Sequence, residues 1–221
     1  MFFSVIRLNM DITPRNILDT IQKEYGVHQL IWDIFADTPE RRRDFLFRYE
    51  IIKGIPTFFT VSERPPANVT KIWRVVTKEY NPQYSPGQFL SFHLRVNPIR
   101  SKRDKTGRQH RHDVVMDERN RLKKQNKQIN EADIIQECGE QWLRSRSNGL
   151  GFVIKDSAVR AGRYRQHNLF KNNGNNAITF STLDFNGILT VTKPATFEKF
   201  LFNGVGPAKG FGCGLMLVRE V

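Results

Sequence analysis

Cysteine is nearly missing from this chain: Cys138 and Cys213 are the two among 221 residues. Two thiols cannot build a disulfide framework, and their separation is not that of a zinc finger. No apolar run approaches the roughly 18 residues that a membrane-spanning helix needs. The opening segment Met1-Phe2-Phe3-Ser4-Val5-Ile6-Arg7 lacks the basic start and long apolar stretch of a secretion signal. Acidic residues are in short supply, with 22 Asp and Glu against 35 Lys and Arg, a formal net charge of +13. They also form no cluster at metal-site spacing, which argues against a two-metal nuclease. The chain therefore reads as soluble and cytosolic. The positive surplus points to a polyanion, nucleic acid before membrane. With 39% hydrophobic residues and 17 Phe, it has the apolar content to fold.

The surplus is uneven. Residues 101–171 carry 17 basic and 9 acidic side chains, whereas residues 172–221 carry 4 and 3. One dense stretch runs from Arg100 to Lys127. In a second, Lys155, Arg160, Arg163, Arg165 and Lys171 are opposed only by Asp156, with Tyr164 and Phe170 interleaved. Such a segment supplies sequence-independent phosphate contacts, or it is a solvated loop with no partner.

Periodicity gives the organisation. Residues 2–8 read as a strand, and Pro14 opens a helix carrying Ile17, Leu18 and Ile21. Gly26 interrupts that helix, and a second apolar-periodic run follows through Val27, Leu30, Ile31 and Ile34. Phe45, Phe47, Tyr49 and Ile51 alternate as in a strand, with a return strand at Thr57 to Ser62. Leu90, Phe92, Leu94 and Val96 alternate strictly and close the first half. In the second half Asp113–Met116 is a possible short strand and residues 117–130 are a polar, mobile connector. Asn130 caps a helix with Ile134, Cys138, Trp142 and Leu143. Asn186-Gly187, between two apolar runs, is the strongest hairpin signal in the chain. Pro194 opens a last helix with Phe197, Phe200 and Leu201 inward. Two successive β-α-β-β-α-β patterns predict an α+β fold of two tandem ferredoxin-like domains, 1–98 and 131–221, joined by a basic polar connector at 99–130.

The C-terminal segment from Gly204 to Gly214 holds five of the fifteen glycines. A dinucleotide fingerprint needs G-x-G-x-x-G between a strand and a helix; here the third glycine comes one residue late, after a helix. A P-loop needs Ser or Thr after a Gly-Lys pair, which is absent. Lys209-Gly210-Phe211-Gly212 begins like an RNA-recognition signature, but Cys213 and Gly214 do not continue it. What remains is a glycine-dense turn whose amides are free to approach phosphates, or simply a tight helix-to-strand turn.

His28 stands three residues beyond Tyr25, at the start of an apolar-periodic helix. A histidine with a nearby phenol is a candidate for proton transfer; it is equally an ordinary capping or surface residue. RNA makes few demands on an enzyme that cleaves it. Its 2′-hydroxyl is a built-in nucleophile, so alignment, one proton-transfer pair and a cation for the phosphorane suffice.

Three segments together resemble one family. They are Glu24-Tyr25-Gly26-Val27-His28-Gln29, Arg43-Asp44-Phe45-Leu46-Phe47-Arg48, and the loop Gly204-Val205-Gly206-Pro207-Ala208-Lys209 continued by Gly210-Phe211-Gly212-Cys213-Gly214-Leu215. Their order and spacing, with Leu94-Arg95-Val96-Asn97-Pro98 between them, resemble the CasE family of CRISPR repeat-processing endoribonucleases of type I-E systems. The resemblance implies tandem ferredoxin-like domains that bind the stem-loop of CRISPR repeat RNA. It implies one cut at the 3′ base of the stem without metal or other cofactor, leaving a 2′,3′-cyclic phosphate and a 5′-hydroxyl. It further implies that the protein stays on the mature guide RNA among the other Cascade subunits, with no membrane partner. By position His28 matches the catalytic histidine and Tyr25 its partner. Arg160, Arg163, Arg165 and Lys171 fall where the family inserts a hairpin into the RNA groove. Lys209, Gly206, Gly210 and Gly212 are the glycine loop's candidates for RNA contact. An RNA-binding assembly subunit without cleavage would share every basic feature.

Overall fold

Residues 2–8 form β1 (Phe2–Leu8), whose alternation sends Ile6 and Leu8 into a core and Phe3 to the opposite face. Two helices follow, α1 (Arg15–Ile21) and α2 (Glu24–Phe35), and then three strands, β2 (Phe45–Ile52), β3 (Ile55–Ser62) and β4 (Trp73–Glu79). The computed structural model describes residues 1–36, 38, 42–67, 69–128, 130–170 and 177–221. The first sheet is antiparallel with order β2-β3-β1-β4, the ferredoxin-like arrangement. Phe45 and Phe47 of β2 join Ile31, Ile34 and Phe35 of α2 in the core on one face. Leu46, Arg48 and Glu50 alternate onto the other face.

The second sheet begins earlier than expected. β5 (Phe89–Val96) pairs with β10 (Ala177–Val191) and β11 (Met216–Glu220), not with the first sheet. The boundary expected at residue 98 thus falls one strand late, and β4 is the strand that closes the first sheet. The connector at 99–130 carries regular structure through Lys124, including the start of the 117–130 stretch expected to be mobile. A hairpin, β6 (Ile99–Arg103) with β7 (Gln109–Asp113), leads into α3 (Val114–Lys124), which Asp113 caps by accepting from Val115 N and Met116 N at 2.9 Å each. The expected short strand at Asp113–Met116 is therefore a capped helix start. Then come α4 (Glu131–Ser147), capped by Asn130, the short β8 (Phe152–Val153), β9 (Val159–Phe170), β10, α5 (Pro194–Asn203) and β11. The order β11-β5-β10 with β8 and β9 on the outer side of β10 repeats the ferredoxin-like pattern.

Two glycines act by close approach rather than by turning the chain. A Cβ on Gly26 would stand 2.0 Å from Thr20 O, so Gly26 lets α1 abut α2; the break between the helices lies at Gln22 and Lys23 instead. A Cβ on Gly187 would stand 2.1 Å from Ala158 O. Asn186-Gly187 is therefore not a hairpin but the interior of the 15-residue β10.

The two units meet through the outer faces of their sheets. Leu46 and Val61 pack with Leu215, flanked by Phe3, Phe59, Phe202 and Leu217. Beside this apolar patch Arg95 donates twice to Asp184, Nε to Oδ1 at 2.7 Å and Nη2 to Oδ2 at 2.8 Å, and also to Tyr49 O at 3.2 Å. Arg48, with its side chain only 6% exposed, pairs with Glu50 at 2.7 Å and lies 3.6 Å from Asp184. These contacts set α2 of the first unit against the glycine loop of the second.

Candidate active site and nucleic-acid interface

His28 lies in the second turn of α2, on the side turned to the glycine loop. Its Nδ1 is 2.6 Å from the carbonyl oxygen of Gly210. A carbonyl only accepts, so Nδ1 donates and carries the proton. In the neutral ring the lone pair is then on Nε2, the atom left for chemistry. The ring is also held by aromatic neighbours: centroids lie 5.3 Å from Phe211, 6.1 Å from Trp32 and 5.9 Å from Tyr25. Tyr25 and His28 are three residues apart on one helix, which places them on the same face.

The loop that meets His28 is a 3-10 turn, Lys209–Phe211, between two left-handed residues, Ala208 at φ 58° and Gly212 at φ 81°. Gly212 is needed for its φ, and its Cα side lies against the Phe47 ring. Gly206, also left-handed at φ 71°, lies toward Asn97 O and the Trp142 ring. Gly210 differs from both. It has no positive φ, and a Cβ there would meet Arg43 Nη1 at 3.2 Å and His28 Cε1 at 3.6 Å. Lys209 donates from Nζ to Asn203 O at 2.6 Å. Desolvation, and then the neighbouring Arg43 charge, push its ammonium below the usual lysine range.

From the turn a stack of rings leads to the basic strand. Phe211 stacks on Phe180 of β10 at 4.9 Å, and Phe180 on His167 of β9 at 4.7 Å. β9 carries a bulge. Thr182 pairs with Arg165 and Asp184 with Gly162, so Leu183 faces both Arg163 and Tyr164. Arg163 adopts φ 51° at this point. The extra residue switches the side-chain parity of the strand. Arg160, opposite Asn186, and Arg165, opposite Thr182, thereby share the sheet face that carries Phe180 and His167. Arg160, Arg163 and Arg165 are all exposed. Lys171 lies outside the described residues.

The fold thus brings Tyr25, His28, Lys209 and Gly210 together, and sets Arg160 and Arg165 on the adjoining face. Gly206 and Gly212 sit farther back in the loop, against the body of the protein. Phe180, Phe211 and His167, with the reach of Arg43, are features that sequence reasoning missed. Phe180 lies in the long strand β10, which the hairpin expected at Asn186 broke up, and His167 faces it from β9. Among the described residues no three His, Cys, Asp or Glu side chains cluster as a metal ion would need. No helix among them is long and apolar enough to cross a membrane.

The family model described as CRISPR associated protein matches residues 1–220. The chain belongs to this CRISPR-associated family. It is 29% identical over 197 residues to the CRISPR system Cascade subunit CasE of Escherichia coli K12, covering 87% of this chain and 89% of that protein. Its fold is similar to that of CRISPR endoribonuclease Cse3 bound to a 19-nucleotide RNA, with TM-score 0.71, 23% identity and full coverage of both chains. It is also similar to Thermus thermophilus Cse3 bound to an RNA representing a pre-cleavage complex, with TM-score 0.67, 22% identity and 99% of each chain covered.

Proposed function

We propose that this protein is a metal-independent endoribonuclease that binds the stem-loop of CRISPR repeat RNA, cuts once at the 3′ base of the stem and stays on the guide RNA as a Cascade subunit. The observation that carries the reading is the His28 Nδ1–Gly210 O bond. It leaves Nε2 of a fixed, half-buried imidazole outside that bond, with a phenol ring 5.9 Å away between centroids. The similarity to CasE and Cse3 supports the substrate class.

The Nδ1–H tautomer supports the following chemistry. Nε2 of neutral His28 takes the proton of the 2′-hydroxyl upstream of the cut. The 2′-oxygen attacks phosphorus, the P–O2′ bond forms and the P–O5′ bond breaks. An in-line displacement puts the leaving oxygen on the far side of phosphorus, so a second group must protonate it. The phenolic O–H of Tyr25 is that donor, and solvent later returns the His28 proton to it. The products are a 2′,3′-cyclic phosphate and a 5′-hydroxyl. Arg160, Arg163, Arg165 and Lys171 hold the stem through its phosphates, with Lys209 and the amides of the glycine turn nearer the cut. Incubation with the repeat hairpin in EDTA, followed by end-group analysis, tests this. Cut RNA ending in a cyclic phosphate is expected. Bound but intact RNA makes the protein an assembly subunit, and activity restored only by a divalent ion makes it a metal-dependent nuclease.

A further inference from the structure

Arg43 precedes β2, and the charged residues that follow it are partnered. Asp44 accepts from Arg64 Nε at 2.7 Å, and Arg48 is held by Glu50 and Asp184. Arg43 has neither a carboxylate partner nor a hydrogen-bond acceptor among the described residues, and its side chain is solvent-accessible. Its guanidinium and the imidazole of His28 flank one point, the place where Gly210 lacks a side chain: 3.2 Å from Nη1 and 3.6 Å from Cε1. Because Gly210 has no positive φ, the backbone there tolerates any residue. The missing side chain matters for the space it leaves. Lys209, one residue away, is close enough to Arg43 for its ammonium to feel the guanidinium charge. Two like charges side by side with no acid between them repel, and an incoming phosphate relieves that repulsion.

We propose that Arg43 is a catalytic residue that grips the non-bridging oxygens of the scissile phosphate and stabilises the phosphorane, with Lys209 at its side and Gly210 keeping its place open. The inference rests on the ribonuclease reading above and names the cation that reading needs. A guanidinium suits the task, since its planar fork can donate two parallel hydrogen bonds to a phosphate and stays charged at any working pH.

The test is single-turnover cleavage of the repeat hairpin at saturating protein, with equilibrium binding measured in parallel. Arg43→Ala is expected to slow cleavage about 10²–10³-fold, as loss of one transition-state donor does, with far less change in affinity. Its pH–rate profile keeps the wild-type shape, because the lost group does not titrate. Gly210→Ala pushes the guanidinium aside, so it slows cleavage alone yet adds nothing in the Arg43→Ala background. Thermal unfolding of both variants should match wild type, since neither change breaks a hydrogen bond or bends the chain. Wild-type cutting with an unimpaired Arg43→Ala overturns the inference alone. So does an Arg43→Ala defect confined to affinity. Wild-type protein that leaves the RNA intact overturns the ribonuclease reading and this inference with it.

Discussion

The imidazole of His28 donates to the carbonyl of Gly210 across 182 positions of sequence, at 2.6 Å. This one bond joins a helix of the first unit to a turn of the second and selects the ring's tautomer. The site therefore exists only while the two units stay docked, and a charged cluster lies beside it at the seam.

Asp184 is the anion shared by Arg95 and Arg48 in that cluster. Asp184→Asn would leave two largely buried guanidinium groups with Glu50 alone. Removing one partner of a buried ion pair costs about 3–5 kcal/mol. Urea unfolding should register a loss of that order, and cleavage should fall as the interface loosens. Unchanged stability would mean that the apolar patch around Leu46 and Leu215 holds the units by itself.

The salt dependence of RNA binding reports which arginines touch phosphate. Each phosphate contact contributes about 0.7–0.9 to the slope of log K against log salt. Arg160→Ala, Arg165→Ala and Arg163→Gly should each lower the slope by about that amount. Glycine is chosen at position 163 because it keeps the left-handed bulge without strain. A slope untouched by all three substitutions would remove β9 from the interface.

The cysteines should be unreactive near neutral pH. Burial pushes the Cys213 thiol up to about 12 and the partly exposed Cys138 thiol up to about 11. The thiolate is the reacting form, so raising the pKa depletes it at lower pH. Labelling of Cys138 in the folded protein should climb with pH until about 11, ahead of Cys213. Both should label readily in denaturant. Fast labelling of Cys138 at pH 7 would contradict the burial on which this rests.

Local physics made much of the fold legible. The alternation of Phe45, Phe47 and Tyr49, the cap at Asn130 and Pro194 at a helix start all depend on near neighbours in sequence. The failures share a cause as well. Gly26 and Gly187 look like breaks, yet each admits a backbone from elsewhere, at Thr20 and Ala158. The strand Phe89–Val96 alternates as read, but its ladder partners are set by topology and lie as far along the chain as Glu220, opposite Leu90. At the site, Tyr25 and His28 are legible by their separation, but the sequence reads a helix break at Gly26 between them, and the structure places both on α2. Gly210 opposite them came through the resemblance, not through spacing. The bulge at Arg163, which aligns Arg160 with Arg165, leaves no periodic trace, because it is the step that breaks the period.

Substitution of the histidine tests the central claim most directly. Repeat hairpin incubated in EDTA with wild type and with His28→Ala, at protein concentrations that saturate both, should be cut by the first to a 2′,3′-cyclic phosphate end. The second should bind it with nearly the same affinity and leave it whole. Equal cutting by the two proteins would contradict the account.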